Sequence, residues 1–406
     1  VHFKKGPYDV EQGNLATAGF VDFRTKNVLP GNMIKIEAGQ FDTYRVVGMV
    51  NLLSQQMKQK EQHAFIASEC MYTNGYFDNP QDFGRLNIFG KYRGKLGTNQ
   101  ALGISASTFA SKWNGPGQIP ERALQSGMIG YFGAIDPNEG GSTHRTNLNV
   151  EMQTNFASGN FFKNQLYYTN YDFELYSNFT FFLNNDVDGD QVKQKEKRNL
   201  LGYKGSYTNI AYLGNKRFTS EAGVSVRMDK TKDSELSRTK HRDIVIERVK
   251  LGDIGEINSG IWLDETIRWN ERFSINGGLR WDRFDVSYKD KLDIDTVSKA
   301  KASTVSPKLN FYYQLNDRVQ VYLTTGKGFH SNDARVAVQT GGTEILPVAY
   351  GADVGIVLKP TTDLLLQGAL WYLKLEQEFV YVGDEGIVEP SGKSQRLGLD
   401  VSVRYQ

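Results

Sequence analysis

Apolar and polar residues alternate with a period of two along much of the chain. Phe273, Ile275, Gly277, Leu279 and Trp281 interleave with Ser274, Asn276, Gly278, Arg280 and Asp282. The same rhythm sets Leu148, Val150 and Met152 against Asn147, Asn149, Glu151 and Gln153. It recurs as Leu397, Leu399, Val401 and Val403 against Arg396, Asp400, Ser402 and Arg404. Successive side chains of a strand point to opposite faces, so each run predicts a β-strand with one face that avoids charge. A helix does not keep this rhythm.

Alternation alone also fits a soluble sandwich, so the connections decide. Turns rich in Gly, Asn, Asp or Pro sit near Leu96–Asn99, Ser158–Asn160, Leu213–Asn215, Asn270–Arg272, Asn316–Arg318 and Pro360–Asp363. Between them lie long polar segments, roughly 114–144, 185–197, 230–256, 288–302, 328–345 and 382–391. Short turns on one rim and long loops on the other are the pattern of a membrane barrel. Counting in this way predicts about sixteen strands between Met33 and Gln406, many of about ten to fifteen residues, long enough for a tilted strand to cross a bilayer. The run from Phe161 to Leu183 reads as one long strand, because that keeps turn and loop in step. Aromatics near strand ends, such as Phe161, Phe162, Tyr167, Tyr168, Tyr171 and Phe173, suit the headgroup level. The predicted fold class is all-β: a transmembrane antiparallel β-barrel.

The mean hydropathy of −0.48 and the lack of any run of about 18 to 20 apolar residues exclude a helical span. Neither counts against a barrel, in which only alternate residues face lipid. A net charge of +2, with no block of Lys or Arg, gives no surface for nucleic acid. The lone Cys70 forms no internal disulfide and reads as a packed thiol. His2, His63, His144, His241 and His330 are scattered, with no HExxH spacing, and no nucleophile elbow or phosphate loop appears. The chain is therefore not expected to be an enzyme. Val1 is followed by no export leader, so the sequence reads as cut from a longer one.

Residues 1–32 read differently from the rest. Lys4-Lys5-Gly6-Pro7-Tyr8 and Gly13-Asn14-Leu15-Ala16-Thr17-Ala18-Gly19 lead into Phe20-Val21-Asp22-Phe23-Arg24-Thr25, a small-residue turn and a short strand. The expected division is 1–32 and 33–406. This opening resembles the end of the plug domain of TonB-dependent receptors, just before the chain enters the barrel. Three later segments carry the same resemblance. One is Thr325-Gly326-Lys327-Gly328-Phe329-His330-Ser331-Asn332-Asp333-Ala334-Arg335; another runs from Leu346-Pro347 through Gly351-Ala352-Asp353-Val354-Gly355 to Lys359-Pro360. The third is Gly117-Gln118-Ile119-Pro120-Glu121-Arg122-Ala123 with Ile129 to Pro137 and Gly140-Gly141.

The resemblance implies about sixteen of twenty-two expected barrel strands, preceded by the C-terminal remnant of a plug. It also implies active import across the outer membrane of a Gram-negative bacterium. TonB, with ExbB and ExbD, would act through a part of the protein outside this sequence. The substrate class it implies is a bulky scarce nutrient, most commonly a ferric siderophore or other iron chelate; outer-membrane lipid surrounds such a barrel. A passive porin or structural barrel shares the alternation but does not call for residues 1–32.

Two sets of residues are candidates for ligand binding. Phe329, His330, Asp333 and Arg335 follow a strand's outer end, where Arg and His suit an anionic chelate. Arg122, Tyr131 and Phe132 suit an aromatic and cationic lid, although ordinary loop packing is the favoured account of both sets. Asp186, Asp188 and Asp190 resemble half of a calcium loop, with Lys195 where a bidentate Glu belongs. Apart from that candidate calcium ion in an extracellular loop, no cofactor is expected.

Overall fold

The computed structural model describes every residue except 294–295, 340–344 and 383–386, and in it the alternation becomes a 16-stranded antiparallel sheet. A separate two-stranded hairpin pairs β1 (His2–Lys5) with β2 (Gly19–Asp22). The large sheet opens with β3 (Met33–Gly39), β4 (Thr43–Asn51), β5 (His63–Thr73), β6 (Phe83–Leu96) and β7 (Gln100–Asn114). It continues through β8 (Gly140–Asn155), β9 (Phe161–Ser177), β10 (Val192–Leu213), β11 (Lys216–Lys240) and β12 (Ile244–Arg268). Then come β13 (Phe273–Asp290), β14 (Val297–Asn316), β15 (Val319–Phe329), β16 (Val348–Leu358) and β17 (Leu364–Leu375). A small hairpin, β18 (Phe379–Val382) with β19 (Ile387–Pro390), precedes the last strand of the sheet, β20 (Ser394–Tyr405). From β3 to β17 each strand of the large sheet pairs with the next in sequence, as short connections favour, and β20 pairs with β17 across the small hairpin. The order ends on β3 and β20, which do not pair with each other among the described residues.

The register sorts residues by face. Tyr168, Leu201, Met228 and Ile257 lie side by side across β9 to β12, all exposed on the outer face. Tyr171, Arg198, Thr231, Ile254 and Tyr288 form a row on the inner face. That interior is polar, and part of the N-terminal segment occupies it. Thr25 takes the Lys91 ammonium of β6, Glu11 takes Lys204 of β10, and Lys5 reaches Asp400 of β20. One short segment can touch strands so far apart in the order only if the sheet curves around it.

Three details differ from the sequence reading. The segment expected as a loop at 230–256 is a hairpin: β11 and β12 continue to Lys240 and Ile244, leaving 241–243 as the turn. Here the period of two is lost, since β11 reads Lys230-Thr231-Lys232-Asp233-Ser234-Glu235 and β12 opens Ile244-Val245-Ile246 with apolar residues on both faces, so backbone pairing continues where the alternation signal has vanished. The run from Phe161 is a single strand, as read, but it ends at Ser177 rather than Leu183. The third is a short helix, α1 (Ala334–Gln339), inside the 328–345 loop. Ala334 and Ala337 fold back with Ile345 onto Phe284, Val286 and Phe329 in a buried apolar cluster. Parts of the loops expected at 288–302, 328–345 and 382–391 lie outside the described residues.

Deep in the interior, Trp262 is fully buried. Its indole N–H donates to Glu221 at 3.0 Å, and the cations of Lys204 and Arg280 lie 5.5 and 5.2 Å from its rings. Gly223 on the next strand makes room, since a Cβ there would stand 2.0 Å from the indole. Trp262→Ala removes the ring, both cation–π contacts and the partner of Glu221. The expected loss is about 3 to 5 kcal/mol, measured by urea unfolding of the protein in detergent micelles.

Candidate functional site

Residues 7–17 make an excursion from the β1–β2 hairpin, closed at its neck by the Gly6 N–H donating to the Ala18 carbonyl at 2.9 Å. The wall accepts it because the wall is glycine where the chain presses closest. A Cβ at Gly326 would stand 2.3 Å from the Pro7 carbonyl oxygen, at Gly328 2.7 Å from the Pro7 Cβ, and at Gly351 2.6 Å from the Pro7 ring. Gly278 does the same for Val10, at 2.8 Å. Here glycine is required by backbone approach. Gly326 and Gly328 are thus a seat for the N-terminal segment and not part of a mobile mouth loop.

Main-chain oxygens of the excursion are held by side chains of the wall. Lys308 donates to the Pro7 carbonyl at 2.6 Å, Asn310 to that of Tyr8 at 3.2 Å and Arg280 to that of Glu11 at 3.2 Å. Lys204 donates to the Glu11 carboxylate at 2.9 Å, and the Tyr8 hydroxyl donates to Asp353. At the tip, Asn14 and Ser331 exchange two hydrogen bonds, of 2.7 and 2.6 Å. Leu15 beside it has φ of 69° and a side chain 61% exposed. A leucine in this left-handed region costs about 1 to 3 kcal/mol.

Asn14 and Leu15 border a pocket of about 380 Å³. Its other walls include Arg198, Arg227, Asp229 and Glu256 from β10 to β12, Phe284 from β13, and His330 and Asp333 from the folded-back loop. Asp229 is buried and serves two guanidiniums: Arg227 donates at 2.5 Å and Arg198 lies 3.6 Å away. Arg198 also faces Glu196 at 3.6 Å and donates to Thr231 at 3.3 Å. Two arginines leaning on one buried carboxylate hold cationic donors at the pocket wall, the chemistry that recognises a carboxylate or a chelate's anionic oxygens.

Of the candidates from the sequence, His330 and Asp333 line this pocket. Arg335 grips Asp333 with two bonds, of 2.9 and 2.7 Å. Burial raises the Asp333 carboxyl, but the Arg335 guanidinium outweighs it and holds the group below its usual range. Burial pushes the His330 imidazole down, with the Ser331 backbone opposing. Phe329 is fully buried, edge-on to Phe284 at 5.9 Å between centroids, so it supports the pocket from behind and offers no surface to a ligand.

Arg122, Tyr131 and Phe132 are not among the residues of this pocket. They are exposed in the loop before β8, where Phe132 stands edge-on to Tyr131 and Tyr76 at 5.3 and 5.7 Å. Asp188 pairs with Lys240 at 2.7 Å, and the Asp190 carboxylate accepts from Thr180 and from the backbone of Asn184 and Asn185. Asp186 is not brought together with them as a metal cluster, and no group of three or more His, Cys, Asp or Glu able to hold an ion occurs among the described residues. The sequence reading missed Asn14, Leu15, Arg198, Arg227, Asp229 and Glu256. An available signal was charge on the inward parity of strands long enough to cross a bilayer.

A model of the TonB-dependent receptor-like β-barrel matches residues 72–406. No curated protein matches the chain in sequence. Among solved structures, the unliganded ferric citrate transporter FecA superposes with a TM-score of 0.80 at 15% identity, over 98% of this chain and 59% of its own. The ferric-catecholate import receptor Fiu from E. coli K12, in its closed form, gives 0.73 at 14%, over 98% and 66%. The ferric yersiniabactin uptake receptor FyuA from Yersinia pestis gives 0.74 at 13%, over 100% and 63%. At these identities the likeness is one of fold, and the chain spans less than two thirds of each.

A side chain at the seat tests how the excursion is held. Gly351→Val is expected to displace Pro7 and Tyr8, with proteolysis within residues 1–22 at least about tenfold faster than in the parent protein. Timed digestion of the folded protein with mass-spectrometric mapping checks this.

Proposed function

We propose that this chain, which belongs to the TonB-dependent receptor family, is part of a protein that imports an anionic metal chelate, a ferric siderophore or other iron chelate, across the outer membrane of a Gram-negative bacterium. Residues 1–32 act as the end of a plug and 33–406 as barrel wall, with outer-membrane lipid against the apolar face. TonB, driven through ExbB and ExbD, supplies the energy.

The observation that carries the reading is the pocket at the excursion's tip, where Asn14 and Leu15 of the N-terminal segment meet Arg198 and Arg227 of the wall. A ligand seated there touches both units, so its arrival is felt by the segment that must move. The guanidiniums and His330 face its anionic oxygens, while Leu15 and Phe284 give apolar contact. A porin's lumen stays open to water, whereas residues 7–17 are bound across this one.

The test is uptake by cells lacking the gene, complemented with the full-length protein and given several labelled iron chelates with and without a proton gradient. Gradient-dependent uptake of one chelate is expected, and gradient-independent leakage of small solutes overturns the proposal. Arg198→Ala and Arg227→Ala are each expected to weaken binding of that chelate about 10- to 100-fold, read by equilibrium titration of purified protein.

A further inference from the structure

On the long-loop rim, three connections interlock around Arg242. Its Nε donates to the Asn138 carbonyl at 2.6 Å and its Nη2 to the Glu139 carbonyl at 2.5 Å and to Asn114 at 3.0 Å. Its backbone N–H donates to Gln191 at 2.9 Å, and Gln191 in turn donates to Asp136 at 2.9 Å. The connections 115–139, 178–191 and 241–243 are thus one hydrogen-bonded unit, with Asn178, Gln191 and Glu139 buried within it.

One member does not fit. Glu139 is only 7% exposed, and its Oε1 has no hydrogen-bond partner. The carboxyl lies against Gly117, where a Cβ would stand 1.9 Å from Oε1. The ionisable groups around it are committed elsewhere. Asp136 on the same loop accepts from the Asn138 N–H, Asn178 and Gln191, so it is well satisfied as a carboxylate. Arg242 spends donors on the two carbonyls, His241 lies 3.1 Å from the Asn138 amide, and Asp190 is turned to Thr180 and its own loop. Those carbonyls are the oxygens a bound metal cation would need, and a guanidinium already holds them. A proton fits the site where a metal ion does not.

We propose that Glu139 is a proton-operated clasp: as the neutral acid it lets the three loops lock together, and on ionisation it forces them apart, opening the long-loop rim. Burial raises this carboxyl, the Asn178 N–H opposes, and the Asp136 charge adds to the rise, which takes it from 4.5 to about 7. An acid whose value is higher in the closed state binds its proton more tightly when closed. Closure is therefore fully favoured below the open-state value, weakens as pH climbs from about 4.5 towards 7, and stays at the weaker level above. The expected change in the closed-to-open ratio is on the order of a hundredfold.

Spin labels at Met128 and Val187, both more than 70% exposed, report the separation of two of the loops in the full-length protein carrying Cys70→Ser. A narrow distance distribution at pH 5 that broadens and lengthens at pH 8 is expected, with Glu139→Gln narrow at both. An unchanged wild-type distribution, or a Gln variant that still follows pH, overturns the proposal. Should Glu139→Gln not assemble, Asp136→Asn removes the neighbouring charge and is expected to move the wild-type midpoint down. A midpoint that stays or rises counts against the clasp.

Discussion

The interior is organised around one enclosed ion pair. Arg280 and Asp282 are two residues apart on the inward face of β13, 3% and 0% exposed, and joined by two hydrogen bonds of 2.7 and 2.8 Å. Removing both charges from water is costly, and such a pair rarely adds net stability. What it adds is direction. With its donors fixed by Asp282 and Ser225, the guanidinium can meet only the Trp262 face and the Glu11 carbonyl. Gly13 and Gly260 exist as glycines for the same reason, since a Cβ at either would stand less than 3 Å from that guanidinium. Excursion, wall and tryptophan are thereby placed by a single side chain, and Asn14, at the pocket, directly follows Gly13 in sequence.

The excursion is held through both its backbone and its side chains. Lys308, Asn310 and Arg280 take carbonyls, while Glu11, Tyr8 and Asn14 are held by their side chains, so the grip depends on where the chain runs as well as on which residues it carries. The apolar part of the contact is small: Pro7, Val10 and Ala16 are its buried apolar side chains. Each polar bond is worth about 0.5 to 1.5 kcal/mol net, and water can replace it as it breaks. A segment held in this way stays put at rest and can be drawn out stepwise. An apolar plug of equal size would have to expose all its surface at once.

The strands and turns were legible in the sequence because a two-faced wall imposes a period of two, and a tight turn imposes Gly, Asn, Asp or Pro. All six expected short turns fall between consecutive strands of the sheet. Legibility failed wherever burial did not follow period. The β11–β12 extension was invisible because it does not alternate: β11 is polar on both faces there, and β12 opens with the apolar run Ile244-Val245-Ile246. Gly328 was read as loop because a sequence does not say that another piece of backbone will lie on it. Of the site, His330 and Asp333 were legible, since they follow a glycine-rich strand end. Arg198, Arg227 and Asp229 were hidden in plain alternation, where an inward charge looks like any other residue lining a polar lumen.

The pocket and the loop unit above it solve the buried-charge problem in opposite ways. In the pocket, Asp229 is shared by two guanidiniums, so cationic donors are held at a surface a ligand can reach, beside the carboxyls of Glu256 and Asp333. Under the proposed function the guanidiniums take a ligand's anionic oxygens, and its shape must be read by Leu15, Phe284 and the walls. In the loops, Asp136 takes the available donors and leaves Glu139 with too few, so the imbalance is negative and closed off from any ligand. The smallest cation that can relieve it is a proton. One sheet thus carries a pocket whose paired arginines stay within reach of a ligand and a buried carboxyl with too few donors, and the strands common to both, β10 to β12, tie the two together.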